Sequence, residues 1–410
     1  MSGASHNVRE VGSRMTEHRP RVAGVGLAKF ETPSKSGDYC EMTEVAIRAA
    51  LRDARVDLAD VEQVYAGYVY GDSTSGQNAL YGSGMTGVPV VNVNNNCSTG
   101  SSALWLARQA VLGGTADCVL AVGFEQMRPG ALGAHWDDRP TPFARFSAVV
   151  DARYPDHRDA PLAARYFGGA GLAYAERYGT KPETFAQITV KARRHAAQNP
   201  NAVFRTPVSV AEVLDSPHIF GMLTRLQCCP PTCGAGAAVI CSPEFARRRG
   251  LDARVEIAAQ AMTTDQPTTF DPPDLLNLVG YDMAARAAHQ VYEAAGIGPE
   301  EIPVVELHDC FTANEIISYE SLGLTPPGTA EKFVEDGDNT YGGRVVTNPS
   351  GGLLAKGHPL GATGLAQCAE LVWQLRGQAG DRQVSGANVA LQHNIGLGGA
   401  CVVTMYRKVD

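Results

Sequence analysis

The chain has 410 residues, with 43 acidic against 35 basic side chains and a formal net charge of −8. Charged residues make up 19%, below the roughly 25% of an average soluble protein, and glycine stands at 44 of 410, above its usual share of about 7%. That balance, with no run of five or more Lys/Arg, argues against a nucleic-acid backbone or an anionic membrane face as the main partner, and no apolar stretch approaches the ~18 residues a bilayer span needs.

In chain order, residues 1–20 carry Arg9, Arg14, His18 and Arg19 among polar residues and read as a flexible extension, neither a secretory signal nor a transit peptide. The run Arg21-Val22-Ala23-Gly24-Val25-Gly26-Leu27 predicts a strand, and helical periodicity follows over 42–53. Val61-Glu62-Gln63-Val64-Tyr65 is the next strand, and a helix between strands implies a crossover and parallel pairing. A strand over 88–93 runs through Asn94-Asn95-Asn96-Cys97 into an Ala-rich helix over 100–111, then a strand over 118–124.

The same order recurs later, the mark of an internal duplication. Offset by 241 residues, Met42, Ala46, Ala54, Val56, Asp60, Val61 and Val64 fall on Met283, Ala287, Ala295, Ile297, Glu301, Ile302 and Val305. Offset by 264, Thr99-Gly100 falls on Thr363-Gly364, each opening a helix closed by glycine, Gly113 or Gly377, with a strand after it. Between the halves, 126–233 breaks the rhythm with Arg128-Pro129, Asp137-Asp138-Arg139-Pro140 and Tyr154-Pro155, and reads as an insertion folded over one face, where substrate selectivity is expected. A strand over 235–241 returns to the first half, and the second half opens near Val255.

Four segments can carry chemistry. At Cys97, Asn tolerates a positive φ and Ser or Thr caps a helix start, so the thiol sits at a helix N-terminus, where unpaired N–H groups can lower its pKa below ~8.5. The plain alternative is a buried structural cysteine. His308-Asp309-Cys310-Phe311 follows the strand-like 304–307, at the strand end where open α/β sheets hold ligands. An extended chain there would point His308 and Cys310 one way and Asp309 the other.

The third segment is Asn348-Pro349-Ser350-Gly351-Gly352 with Gly357-His358-Pro359-Leu360-Gly361-Ala362-Thr363-Gly364. Its glycines would let backbone pass close to a ligand, and duplication makes its helix the counterpart of the Cys97 helix, so both N-termini can face one pocket. The fourth, His393-Asn394-Ile395-Gly396-Leu397-Gly398-Gly399, offers backbone N–H groups to an oxyanion, or is simply a Gly-rich bend. His-Glu-x-x-His, Cys-x-x-Cys and phosphate-loop patterns are missing, and Cys228, Cys229, Cys233 and Cys241 lack metal-ligand spacing. Zinc on Cys97, His308, Cys310 and His358 stays open as a lesser alternative.

Together these motifs resemble the thiolases of the sterol-carrier-protein type, over about 21–407. The resemblance implies an α/β thiolase fold: two βαβαβαββ halves in five α/β/α/β/α layers, with a loop domain inserted in the first half. The N-terminal half would then be 21–125 with 234–254, the inserted loop domain 126–233 and the C-terminal half 255–410. It implies that Cys97 accepts the acyl group, that His358 activates it and helps hold the enolate oxygen, and that Cys310 is the acid/base thiol. His308 would stand in one oxyanion hole, with the Cys97 and Gly396 N–H groups forming the other. Other thiolases carry a second Cys-x-Gly cysteine where this chain reads Asn394-Ile395-Gly396, and relatives tend to carry Asp where it has Cys233.

The implied reaction is cleavage of 3-oxoacyl-CoA by CoA in lipid or sterol side-chain degradation of the β-oxidation kind. Coenzyme A is a substrate, with no bound cofactor, no metal, no nucleic-acid and no membrane partner. A homodimer or tetramer is expected. Alternatives are acyl transfer to a non-CoA acceptor or a retro-aldolase on the same scaffold, and a non-catalytic lipid-binding or scaffold protein; a retro-aldolase would have no need of the thiols. No sterol carrier domain follows Asp410, and Arg407-Lys408-Val409-Asp410 is not a Ser-Lys-Leu-type peroxisomal signal. Ten irregularly spaced cysteines read as thiols of a reducing compartment, so the cytoplasm is the expected location.

Overall fold

A computed structural model describes residues 19–128, 136, 138–155 and 159–410. The extension read over 1–20 lies outside the described residues except for Arg19, which pairs with Glu256 at 3.4 Å, and Pro20. Pro129 and Asp137, within two of the breaks read from the sequence, also lie outside them.

Ten strands form one sheet: β1 (Arg21–Leu27), β2 (Gln63–Gly67), β3 (Val90–Val93), β4 (Cys118–Glu125), β7 (Gly234–Cys241), β8 (Val255–Thr263), β9 (Val304–Glu306), β10 (Val346–Thr347), β11 (Val389–Gly396) and β12 (Ala400–Lys408). A separate hairpin pairs β5 (His218–Phe220) with β6 (Leu223–Thr224). The order β10-β9-β11-β12-β8-β1-β7-β4-β2-β3 reads identically outward from its centre, because β8 to β12 repeat the places of β1, β2, β3, β4 and β7. Among the described residues, the two sets pair strand to strand where Arg21 and Val22 meet Glu256 and Val255.

The pairing expected from crossovers holds for β3, β2 and β4 and for β10, β9 and β11, which are parallel. β7 and β12 run antiparallel to their neighbours. The reason is local for β12: three residues separate it from β11, too few for a crossover.

Helices Thr99–Leu112 and Leu360–Arg376 lie between the two strand sets, against each other and against strands of both, with Leu104, Ala107, Leu365, Cys368, Ala369 and Val372 in their shared core. Helix Tyr39–Ala54 covers the outside of one set and helix Tyr281–Ala295 the other, completing five layers. The second central helix starts at Leu360, a turn before Thr363, because the ring of Pro359 holds its entry in a fixed φ.

Between β4 and β7, helices Leu162–Tyr178 and Pro182–Ala196 pack on helix Thr312–Ser321 of the second half. Phe167 stacks on Phe311 with centroids 5.1 Å apart. Buried Lys191 ties the same layers, reaching Glu315 and, at 2.5 Å, Thr347 Oγ1. Burial of its charge is tolerated because these acceptors surround it. Among the described residues no helix is long and apolar enough to cross a membrane.

Candidate active site

The Cys97 turn is built by its own sequence. Asn96 takes φ 51°, a conformation asparagine reaches more cheaply than branched residues do, and this turns the chain into helix Thr99–Leu112. The Ser and Thr hydroxyls do not cap the helix as expected. Ser98 Oγ donates to Asn95 O at 2.9 Å and Thr99 Oγ1 to Asn96 O at 2.6 Å, so they lock the turn instead. Asn96 Nδ2 donates to Leu397 O at 3.1 Å, fastening the turn to the β11–β12 loop.

Glycine lets the opposite helix approach. A side chain at Gly100 would meet Gly361 O at 2.5 Å, and one at Gly364 would meet Ser101 N at 2.3 Å. The two helix N-termini therefore touch backbone to backbone, as the duplication implied, and the sulfur of Cys97 comes within 4.8 Å of ring nitrogens of both His308 and His358.

The two imidazoles are set differently by their neighbours. Thr363 Oγ1 donates to Pro359 O at 3.0 Å, so at 2.7 Å it accepts from His358 Nδ1–H, and His358 Nε2 is left as a buried lone pair without a protein partner. A relay sets His308. Gly364 O can only accept, which fixes Gln392 Nε2 as donor to it at 2.7 Å and to Ser101 Oγ at 2.9 Å. Ser101 then donates to Asn394 Oδ1 at 2.8 Å, and Asn394 Nδ2 donates to His308 Nδ1 at 2.9 Å. His308 thus carries its proton on Nε2. One imidazole offers an acceptor and the other a donor.

Burial holds both rings neutral: His358 falls to about 3, with Lys356 adding to the effect, and His308 falls well below the ordinary value. The thiol does not behave as a helix-end thiolate. Burial pushes Cys97 up to about 12, outweighing the Leu397 N–H that lowers it, and Glu125 raises it further. Desolvation outweighs the helix end, and the His358 lone pair is the acceptor beside the Cys97 thiol. Cys310 is 3% exposed, and burial pushes its thiol well above the usual value, with Cys229, Cys97 and Asp309 adding to it.

The chain is not extended through 307–309, because Asp309 N–H turns back to Leu307 O at 3.2 Å. Asp309 accepts from Leu353 N–H at 2.7 Å and so braces the segment that leads to His358. Gly352 permits this packing, since a side chain there would strike Asp309 Oδ2 at 2.1 Å, while one at Gly351 would meet Ala196 Cβ at 2.5 Å. In the loop segment, Thr232 Oγ1 accepts from His358 N–H at 3.2 Å. Cys233 takes Met127 N–H on its sulfur at 3.2 Å. Gly396 backs onto the turn so closely that a side chain there would meet Asn95 O at 2.0 Å.

The zinc set read from the sequence is brought together only in part, since Cys310 does not join the Cys97, His308 and His358 donors. Those three fit a cation poorly, because the Asn394 relay leaves a proton on the His308 nitrogen that would have to ligate it.

Sequence reasoning missed Thr363, Ser101 and Glu125 as supports of the site. Glu125 is fully buried and accepts from Tyr70 at 2.9 Å, Gly361 at 3.0 Å and Val69 at 3.2 Å, while burial raises it to about 7. The signal for it was a carboxylate closing an otherwise apolar strand.

Family models for the thiolase N-terminal domain and the thiolase C-terminal domain-like region match residues 25–222 and 264–406. Sterol carrier protein 2 of Rattus norvegicus is 53% identical over 390 residues, 94% of this chain and 71% of that protein. Benzoylsuccinyl-CoA thiolase subunit BbsB of Thauera aromatica is 37% identical over 389 residues, 93% of this chain and 96% of that protein. Among solved structures, human mitochondrial 3-ketoacyl-CoA thiolase in complex with CoA shares the fold at a TM-score of 0.72 and 17% identity, covering 96% of this chain and 98% of that one. An Ltp2-ChsH2(DUF35) aldolase shares it at 0.78 and 23%, covering 95% and 98%.

Proposed function

The chain belongs to the thiolase family of acyltransferases, and from that premise we propose that it cleaves 3-oxoacyl-CoA with CoA, through an acyl group carried on Cys97. The observation that carries this reading is the meeting of the Cys97 sulfur with an acceptor imidazole and a donor imidazole within 4.8 Å.

His358 Nε2 takes the thiol proton as Cys97 attacks the ketone carbon. The oxyanion on that carbon is received by the Cys97 and Gly396 N–H groups. The C2–C3 bond then breaks and the acetyl-CoA fragment leaves as an enolate, whose oxygen accepts a hydrogen bond from His308 Nε2–H, while the Cys310 thiol protonates its carbon. Cys310 next takes the proton of incoming CoA, whose sulfur displaces the acyl group from Cys97, and His358 returns its proton to the Cys97 thiolate. A retro-aldol cleavage would leave both thiols without a task.

Residues 126–233 are read as the substrate-side loop domain between halves 21–125 with 234–254 and 255–410, and a lipid-derived acyl chain suits the aromatic pair Phe167 and Phe311 beside Cys310. Ten free thiols support a reducing compartment, and we place the protein in the cytoplasm. The unpaired edge of β3, with Val91 48% and nearby Met85 77% exposed, supports assembly with a second copy. Incubation with acetoacetyl-CoA and CoA, following loss of the enolate absorbance, tests the activity: no loss under reducing conditions would sink it.

A further inference from the structure

One thiol beside the site has no step in the proposed reaction. Cys229 lies in the segment that returns from the insertion to β7, and its N–H donates to Cys310 O at 2.9 Å. Cys228 faces Phe311 in an isolated antiparallel bridge, so Cys229 and Cys310 are the next residues to oppose each other, joined by that one hydrogen bond. Opposed residues of a hydrogen-bonded antiparallel pair stand about 5.5 Å apart between Cα atoms and project to the same face. A disulfide spans about 4.4–6.8 Å between Cα atoms. The backbone register therefore suits a cross-link between them.

We infer that Cys229 and Cys310 form a reversible disulfide when the protein meets a hydroperoxide, and that this closes the thiolase site. The inference rests on the proposed role of Cys310, because the cross-link removes the acid/base thiol while leaving Cys97 free. Cys229 is the less buried residue of the two, intermediate in exposure where Cys310 is 3% exposed. The Cys229 sulfur attacks the terminal oxygen of the hydroperoxide, losing its proton in the step; the O–O bond breaks, and the alcohol leaves with that thiol proton. The Cys310 sulfur then displaces hydroxide from the resulting sulfenic acid. Its proton joins that hydroxide as water, so two thiols and one hydroperoxide give one disulfide, one alcohol and one water. Burial pushes the Cys229 thiol well above its usual value, with Cys97, Cys228 and Asp309 adding to it, and Cys229 in turn raises Cys310.

The test treats the purified full chain with hydrogen peroxide, blocks the remaining thiols with N-ethylmaleimide and maps peptides without reduction. The expected result is a linked Cys229–Cys310 peptide, eight blocked cysteines instead of ten, lost thiolysis that dithiothreitol restores, and an undiminished acyl adduct on Cys97. Cys229→Ser should give no linked peptide and keep turnover in peroxide. A Cys97–Cys310 peptide in its place, or no linked peptide under conditions that inactivate the parent, would overturn the inference. Because the map is read on the parent chain, a poorly folding variant does not blur it. If the reduced protein has no thiolysis at all, the functional reading fails, while the disulfide is still decided by the map.

Discussion

His308 and His358 stand edge to face, ring centroids 5.1 Å apart and planes at 84°, and their hydrogen-bond partners set opposite tautomers. In the proposed reaction, two identical side chains thereby divide the labour. The Thr363 hydroxyl makes one a base, and the Asn394 amide makes the other a hydrogen-bond donor.

Cys97→Ala should abolish the acyl adduct and thiolysis together, since among the described residues no other sulfur joins the donors of both histidines. Intact mass after addition of an acyl-CoA measures this, and an undiminished adduct on the variant would refute the assignment.

Cys310→Ser should keep the adduct and lose turnover by about 10²–10⁴, the scale of removing a general acid–base group. A serine hydroxyl is too weak an acid to protonate the enolate near neutral pH. Near-normal turnover would mean that another group does this work.

Thr363→Val and Asn394→Ala should separate the two imidazoles. The first takes away the acceptor of His358 Nδ1–H, so formation of the adduct from an acyl-CoA slows, by about 10². The second frees His308 to hold its proton on either nitrogen; the adduct forms at the parent rate, while cleavage of acetoacetyl-CoA falls by up to about 10²–10³, as for loss of one oxyanion donor. Equal losses in both assays for both variants would show that the networks only hold the fold.

Adduct formation should show no inflection near pH 6.5. His358 titrates at about 3 in the folded protein, so its lone pair is available throughout the range from about pH 5 to 8. Rapid-quench rates with an acyl-CoA across that range check this, and an acid limb centred near 6.5 would contradict the neutral, buried ring.

His393 is buried with neither ring nitrogen hydrogen-bonded, and burial lowers it to about 3. Below pH 6.5 the unfolded chain takes up a proton there that the native protein refuses. The native state thus loses stability from this group as the pH falls from 6.5 towards 3. His393→Leu should remove that dependence, so its urea midpoint should drop less than the parent's between pH 7.5 and 5.0, by an amount worth about 2 kcal/mol. An unchanged difference between the two pH values would refute it.

Much of the fold was legible because it is locally encoded. The helix read over 42–53 spans Tyr39–Ala54, and the strands read at 118–124 and 235–241 are Cys118–Glu125 and Gly234–Cys241. Periodicity and turn residues act over a few positions, and duplication made the second half recognisable from the first. Cys97, His308, Cys310 and His358 were equally visible, each beside a strand end or helix start where chemistry collects.

What the sequence by itself determined was therefore which residues could react and on which elements they ride. Their chemical states were decided by tertiary structure. The Ser101 to Asn394 bond that sets the His308 tautomer joins residues 293 apart in the chain, and no local pattern records such a pairing. Cys97 sits at a helix start, as its neighbours foretold, yet burial raises its thiol, because desolvation depends on every layer packed around the site and not on the few N–H groups beside it. Cys229 likewise comes opposite Cys310 only through the return of the inserted segment to β7. Local sequence sets backbone conformation through short-range sterics and hydrogen bonds, whereas proton affinity and register between distant segments follow from packing that the whole chain must complete.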